Sequence, residues 1–187
     1  MKTIWITGGS TGIGFATAKK FLDNNWKVII SARNNENLIN AKNKLLNNSA
    51  NKNLYLYQCD ISKRDQVNKT IEAITKEIGN INIALLNAAA YSPNKNQNFS
   101  IDNYEKLIDV NLKGTLYCIE ILIENMQGDN SHIAIVSSPV GYRGLPTAGA
   151  YGLTKAGLTN LAENLYFDLQ KLNIKISVVN PGFIKSE

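Results

Sequence analysis

Tyr151 and Lys155 stand four positions apart in Tyr151-Gly152-Leu153-Thr154-Lys155. On a helix that spacing puts both side chains on one face, with Cβ atoms ~5–6 Å apart. An ammonium held beside a phenol favours the phenolate and pulls down a pKa that starts near ~10. Such a pair can give a proton to a carbonyl oxygen, or take one from an alcohol, at neutral pH. Alone, Tyr-x-x-x-Lys recurs by chance as a surface pair; here its surroundings single it out. Ser138 lies thirteen positions earlier, just past an apolar run, and Asn111 sits in Asp109-Val110-Asn111-Leu112-Lys113-Gly114.

A second chemical element is the turn Thr7-Gly8-Gly9-Ser10-Thr11-Gly12-Ile13-Gly14, placed between a strand and a helix. Glycine has no Cβ, so Gly8 can make the tight turn and Gly12 can let the backbone approach a pyrophosphate. Gly14 allows the helix to pack closely on the strand. The helix then aims its free N–H groups and positive dipole end at the anion. Gly8, Ser10, Gly12, Ile13 and Gly14 are the candidate cofactor contacts of this turn. Its spacing, Gly-x-x-x-Gly-x-Gly, is wider than the commonest dinucleotide fingerprint. The second strand ends in Ile30-Ser31-Ala32-Arg33-Asn34. An NAD site generally places a carboxylate near here for the ribose 2′-hydroxyl. Ala32 stands there instead, followed by Arg33, whose guanidinium suits a 2′-phosphate. NADP(H) is therefore favoured over NAD(H).

The elements that must position these residues alternate along the chain. Thr3–Thr7, Lys27–Ser31, Leu54–Cys59, Ile81–Asn87, His132–Ser137 and Ile174–Val179 read as strands. Helical stretches run over Gly12–Asn24, Glu36–Asn47, Lys63–Ile78, Ile101–Met126 and Tyr151–Leu172. The strands are continuous apolar runs, as in a parallel sheet covered on both faces. The expected fold is α/β: a doubly wound parallel sheet of Rossmann type, with its ligand crevice at the carboxyl ends of the strands. Residues 1–187 read as a single dinucleotide-binding and catalytic domain.

Composition narrows the function classes. The 187 residues carry 20 Lys and Arg against 15 Asp and Glu, a net charge of +5 without a basic run. Nucleic-acid binding is not expected. No apolar stretch approaches the ~18 residues that would span a bilayer, so no membrane partner is expected either. Two separated cysteines and the single His132 argue against a metal site, a disulfide framework and a His-based nucleophile. His132, Cys59 and Cys118 are read as packing residues. Asparagine, at 26 residues, is spread through periodic segments and does not form a polar tract. A protein of a reducing, cytoplasmic compartment is the expectation.

Taken together, Thr7–Gly14, Asp60, Leu86-Asn87-Ala88-Ala89, Asn111, Ser138, Tyr151/Lys155 and Pro181-Gly182 resemble the short-chain dehydrogenase/reductase family over nearly the whole chain. The resemblance implies strand order 3-2-1-4-5-6 and hydride transfer between NADP(H) and a small-molecule carbonyl or alcohol. It makes Tyr151 the general acid/base and Lys155 the holder of the nicotinamide ribose that depresses the tyrosine pKa. Ser138 would donate to the substrate oxygen, and Asn111 would hold a water linking Lys155 to solvent. Asp60 and Ile61 would meet the adenine, and Asn87 and Ala88 its ribose. Pro181, Gly182 and Ile184 would close over the nicotinamide, with Ser186 near the carboxamide. Homodimer formation through helices 101–126 and 151–172 is also implied, with a tetramer for a longer form.

Two departures from the family pattern stand out. Its Asn-Asn-Ala-Gly motif is Leu86-Asn87-Ala88-Ala89 here, which predicts a slightly altered cofactor floor. Members usually continue through a lid helix and a seventh strand, both absent here, so the domain is expected to be C-terminally incomplete. The alternative function is a non-catalytic NADP(H)-binding protein serving as sensor or scaffold.

Overall fold

The computed structural model describes residues 1–47, 49–93, 99–126 and 131–184. Six strands form one parallel sheet in the order β3-β2-β1-β4-β5-β6. They are β1 (Thr3–Thr7), β2 (Lys27–Ala32), β3 (Leu54–Gln58), β4 (Ile83–Leu86), β5 (Ser131–Val136) and β6 (Ile174–Val179). The helices are α1 (Gly12–Asp23), α2 (Asn35–Asn47), α3 (Arg64–Glu77), α4 (Ile101–Leu107), α5 (Gly114–Asn125) and α6 (Gly149–Gln170). Alternation along each strand divides the core between the two faces of the sheet. Ile4, Ile6, Val28 and Ile30 pack with Ala18 and Leu22 of α1 and Leu38, Ala41 and Leu45 of α2. Trp5, Ile29, Ala84, Ile133 and Ile135 pack with α3, α5 and α6 on the other side. The buried Trp5 indole donates to Ser31 Oγ at 3.1 Å, so its polar edge is satisfied.

Register aligns the carboxyl ends that frame the crevice: Thr7 lies beside Ser31 on one side and Leu86 on the other. The expected helix over Ile101–Met126 is instead interrupted, because Ile108–Lys113 winds as a π-helix between α4 and α5. The wider turn shows in the Gly114 N–H, which donates to Asp109 O, five residues back. Gly114 belongs at that point because a Cβ there would meet Ile61 side-chain atoms at 2.8 and 2.9 Å. The fourth strand is shorter than its apolar run, since Asn87 bends away to bond the first strand's exit. Among the described residues, no helix is long and apolar enough to cross a membrane. No cluster of three or more His, Cys, Asp or Glu that could hold a metal occurs among them.

Candidate active site

Strand β1 ends at Thr7, whose buried hydroxyl accepts from the backbone N–H groups of Asn87 and Ala88, each at 3.0 Å. The Asn87 amide donates back to Thr7 O and Gly8 O, both at 3.1 Å. These four bonds tie the glycine turn to the loop leaving β4. Gly8 has φ +66 and Gly12 φ +54, left-handed conformations in which a side chain is strained. A Cβ on Gly14 would strike Gly8 O and approach Asn87 Nδ2 at 2.8 Å, so α1 can sit this close only with glycine there. Gly9, which spacing alone did not single out, is equally constrained: a Cβ would meet Ile30 at 2.6 Å. Thr11 occupies the N-cap of α1 without a side-chain cap bond, and Thr11, Gly12 and Ile13 line the crevice.

A cavity of about 540 Å³ opens there, within the size range of small-molecule sites. It runs from Arg33, Asn34 and Asn37 past the glycine turn to Tyr91 and Tyr151. Of the residues expected to meet a cofactor, it brings together Gly8, Ser10, Gly12, Ile13, Arg33, Ile61, Asn87, Ala88, Tyr151 and Ile184. Gly14, Asp60, Lys155, Pro181 and Gly182 do not line it, and Ser186 lies outside the described residues. The Asp60 carboxylate accepts from Ser62 N and Ser62 Oγ at 3.0 and 2.8 Å, shaping the entry to α3. Cys59, read as packing, is buried and also lines the cavity; burial pushes its thiol up. An uncapped helix N-terminus, two left-handed glycines and an exposed guanidinium in one cavity fit the phosphate groups of a nicotinamide dinucleotide.

Tyr151 and Lys155 share the first turns of α6, with Lys155 Nζ 5.4 Å from the Tyr151 ring centre. The expected depression of the tyrosine pKa does not occur. Burial, reinforced by the neighbouring Tyr91, pushes the Tyr151 phenol up. Lys155 is 2% exposed and donates to Val136 O at 2.7 Å, and burial brings its pKa down to about 8. Burial thus biases both groups toward their neutral forms.

Ser138 caps the short 3-10 turn Pro139–Gly141 and accepts weakly from Val140 N at 3.4 Å. Its neighbour Ser137, which the sequence reading passed over, donates to Lys155 O at 2.9 Å and anchors α6 beneath the site. Asn111 is fully buried in the π-helical stretch. Its side-chain amide bonds to protein: Oδ1 accepts from Ala90 N at 2.7 Å, and Nδ2 donates to Ala90 O and Thr154 Oγ1 at 3.0 and 3.1 Å. Thr154 Oγ1 in turn donates to Tyr151 O at 2.7 Å.

Residues 2–187 match the short chain dehydrogenase family. An uncharacterized oxidoreductase of Staphylococcus aureus (strain MW2) is 27% identical over 180 residues, 96% of this chain and 76% of the relative. The chain therefore spans about three quarters of that relative's length. Among solved structures, ElxO with NADP bound is 31% identical with a TM-score of 0.92, covering 100% of this chain and 75% of that one. Serine dehydrogenase from Escherichia coli is 27% identical with a TM-score of 0.87, covering 96% and 82%.

Proposed function

Because this chain belongs to the short-chain dehydrogenase/reductase family of oxidoreductases, we propose that it is an NADP(H)-preferring reductase of small-molecule carbonyls, reversible toward the alcohol. The observation that carries the reading is one cavity holding the glycine turn, Arg33 and the Tyr151 phenol. Bound there, the nicotinamide dinucleotide supplies the hydride, which is the cofactor's own chemistry.

Everything else falls to the chain. Gly8, Ser10, Gly12 and Ile13, with the open N-terminus of α1, would hold the pyrophosphate. Arg33 would clamp the 2′-phosphate; NADP complexes of ElxO and of RhlG of Pseudomonas aeruginosa are among the similar structures. Ile61, Asn87 and Ala88 would line the adenosine half, with Asp60 beside the adenine. Pro181, Gly182 and Ile184 would lie over the nicotinamide. Lys155 would reach the nicotinamide ribose hydroxyls. A half-buried phenol with a raised pKa keeps its proton across neutral pH, which is the state needed to donate to a carbonyl oxygen. The Ser138 hydroxyl accepts in its one weak bond, which leaves its hydrogen to orient the same oxygen. The partner reading is a homodimer through helices 101–126 and 151–172, where Leu116, Leu153 and Phe167 present exposed apolar side chains.

The test is Tyr151→Phe, assayed by nicotinamide absorbance with NADPH and a carbonyl panel. Loss of a general acid is expected to lower kcat by ~10²–10⁴-fold while NADPH affinity stays within about twofold. Turnover equal to wild type in that variant would remove Tyr151 from the chemistry. NADPH binding by wild type without turnover on the whole panel would favour the sensor alternative.

A further inference from the structure

The loop leaving β4 carries an aromatic ring onto the candidate acid/base, and both of its flanks are anchored. Tyr91 meets Tyr151 edge to face, ring centres 5.1 Å apart at 81°. On one side, Ala90 is gripped through both N–H and C=O by the single buried amide of Asn111. On the other, Ser92 O accepts from Asn103 Nδ2 of α4 at 3.3 Å. The Asn111 amide also reaches Thr154, which bonds the Tyr151 carbonyl. One buried side chain therefore ties down the backbone carrying Tyr91 and the helical turn carrying Tyr151. Tyr91 itself is 62% exposed, so burial of its own surface does not explain the two anchors. A free tyrosine at a loop tip would sample several rotamers, and anchoring its backbone reduces that freedom.

We propose that Tyr91 is a positioning residue for Tyr151, held by Asn111 through Ala90 so that its ring fixes the phenol's orientation toward the substrate oxygen. The inference rests on the proposed role of Tyr151 as acid/base. Lys155 Nζ lies 5.4 Å from the centre of the same Tyr151 ring, so Tyr91 and Lys155 together constrain its tilt. A misoriented phenol loses the alignment that proton transfer needs, while the glycine turn and Arg33 are left as they were.

The variants are Tyr91→Phe, which keeps the ring contact, and Tyr91→Ala, which removes it. Because the side chain is exposed, neither variant disturbs the core. Tyr91→Ala is expected to lower kcat by roughly 3–10-fold with NADPH affinity within twofold, and Tyr91→Phe to hold kcat within twofold. A second readout does not depend on turnover: ¹³Cζ-tyrosine NMR, with the Tyr151 signal identified by its loss in Tyr151→Phe. The Tyr151 midpoint is expected to fall in both variants, and further in Tyr91→Ala, where the phenol also gains water. Unchanged Tyr151 titration in both variants overturns the proposal, as does a Tyr91→Ala enzyme with wild-type kcat. If wild type reduces no carbonyl, the reductase reading fails, while the NMR titration still decides whether Tyr91 governs the Tyr151 phenol.

Discussion

Lys155 is the residue at which function and stability oppose one another most directly. It is 2% exposed, its ammonium has one polar partner among the described residues, and its pKa is about 8 against an ordinary 10.5. At ~1.4 kcal/mol per pKa unit, carrying the charged form costs the fold roughly 3 kcal/mol below pH 8. Lys155→Met keeps the apolar stem and removes the charge. It also leaves Val136 O without the ammonium, which costs about 1 kcal/mol. The net expectation is a variant roughly 2 kcal/mol more stable near pH 7. For a chain of this length that raises Tm by about 4–8 °C.

The pH dependence carries the sign. Between about pH 8 and pH 10.5 the folded lysine is neutral while the unfolded one is still charged, so the folded state binds fewer protons. Wild-type stability therefore gains from this group as pH rises through that window, and the variant does not. The variant's advantage should be widest below about pH 8, shrink through the window, and above about pH 10.5 reverse to a deficit of about 1 kcal/mol, the cost at Val136 O alone. Urea unfolding of both proteins across this range measures it, and groups common to both cancel in the difference. A variant less stable than wild type at neutral pH, or a gap that ignores pH, refutes the argument that burial dominates at Lys155. The same variant is expected to lose turnover, so its gain in stability would come with loss of function.

Two further substitutions probe the cofactor end. Gly14→Ala places a Cβ against Gly8 O and Asn87 Nδ2; overpacking of ~1–3 kcal/mol exceeds the ~1 kcal/mol gained in helix propensity. A net loss of up to about 2 kcal/mol in chemical denaturation, with weakened NADPH binding, is expected, and a more stable variant would contradict the close approach. Arg33→Ala removes an exposed guanidinium that, among the described residues, has no ion-pair partner, so stability should hardly change. NADPH affinity measured by fluorescence titration should fall ~10–100-fold while NADH affinity holds; equal effects on both would place the 2′-phosphate elsewhere.

Much of the architecture was readable before any coordinate. Continuous apolar runs separated by amphipathic stretches admit few arrangements besides a doubly wound parallel sheet, and six strands formed close to where those runs lie. Boundaries were less legible where side chains compete with the ladder. Asn87 leaves β4 because its amide has carbonyls of the glycine turn to bond, a long-range option that no local propensity encodes. The π-helical stretch was hidden for the same reason: Ile101–Met126 reads as one helix, and the contacts at the widened turn, Ile61 against Gly114 and Ala90 and Thr154 at the Asn111 amide, are long-range.

The candidate site divides along the same line. Glycine positions, the Tyr151–Lys155 spacing and the absence of a carboxylate after β2 are statements about covalent geometry and residue type, and those carry over directly to three dimensions. Protonation is different, because it depends on how much water each group loses and which carbonyls it meets. Spacing alone pointed to an ammonium that lowers the tyrosine pKa; packing α6 against β5 buried the lysine and raised the phenol instead. Asn111 likewise has the right position for a water-holding residue, and only the fold brings Ala90 and Thr154 to its amide. Tyr91, sixty positions from Tyr151, becomes its neighbour solely through the crossover from β4. Local sequence specifies which groups exist and which face each occupies. Tertiary packing decides their dielectric surroundings and their partners, and therefore which of them hold a proton.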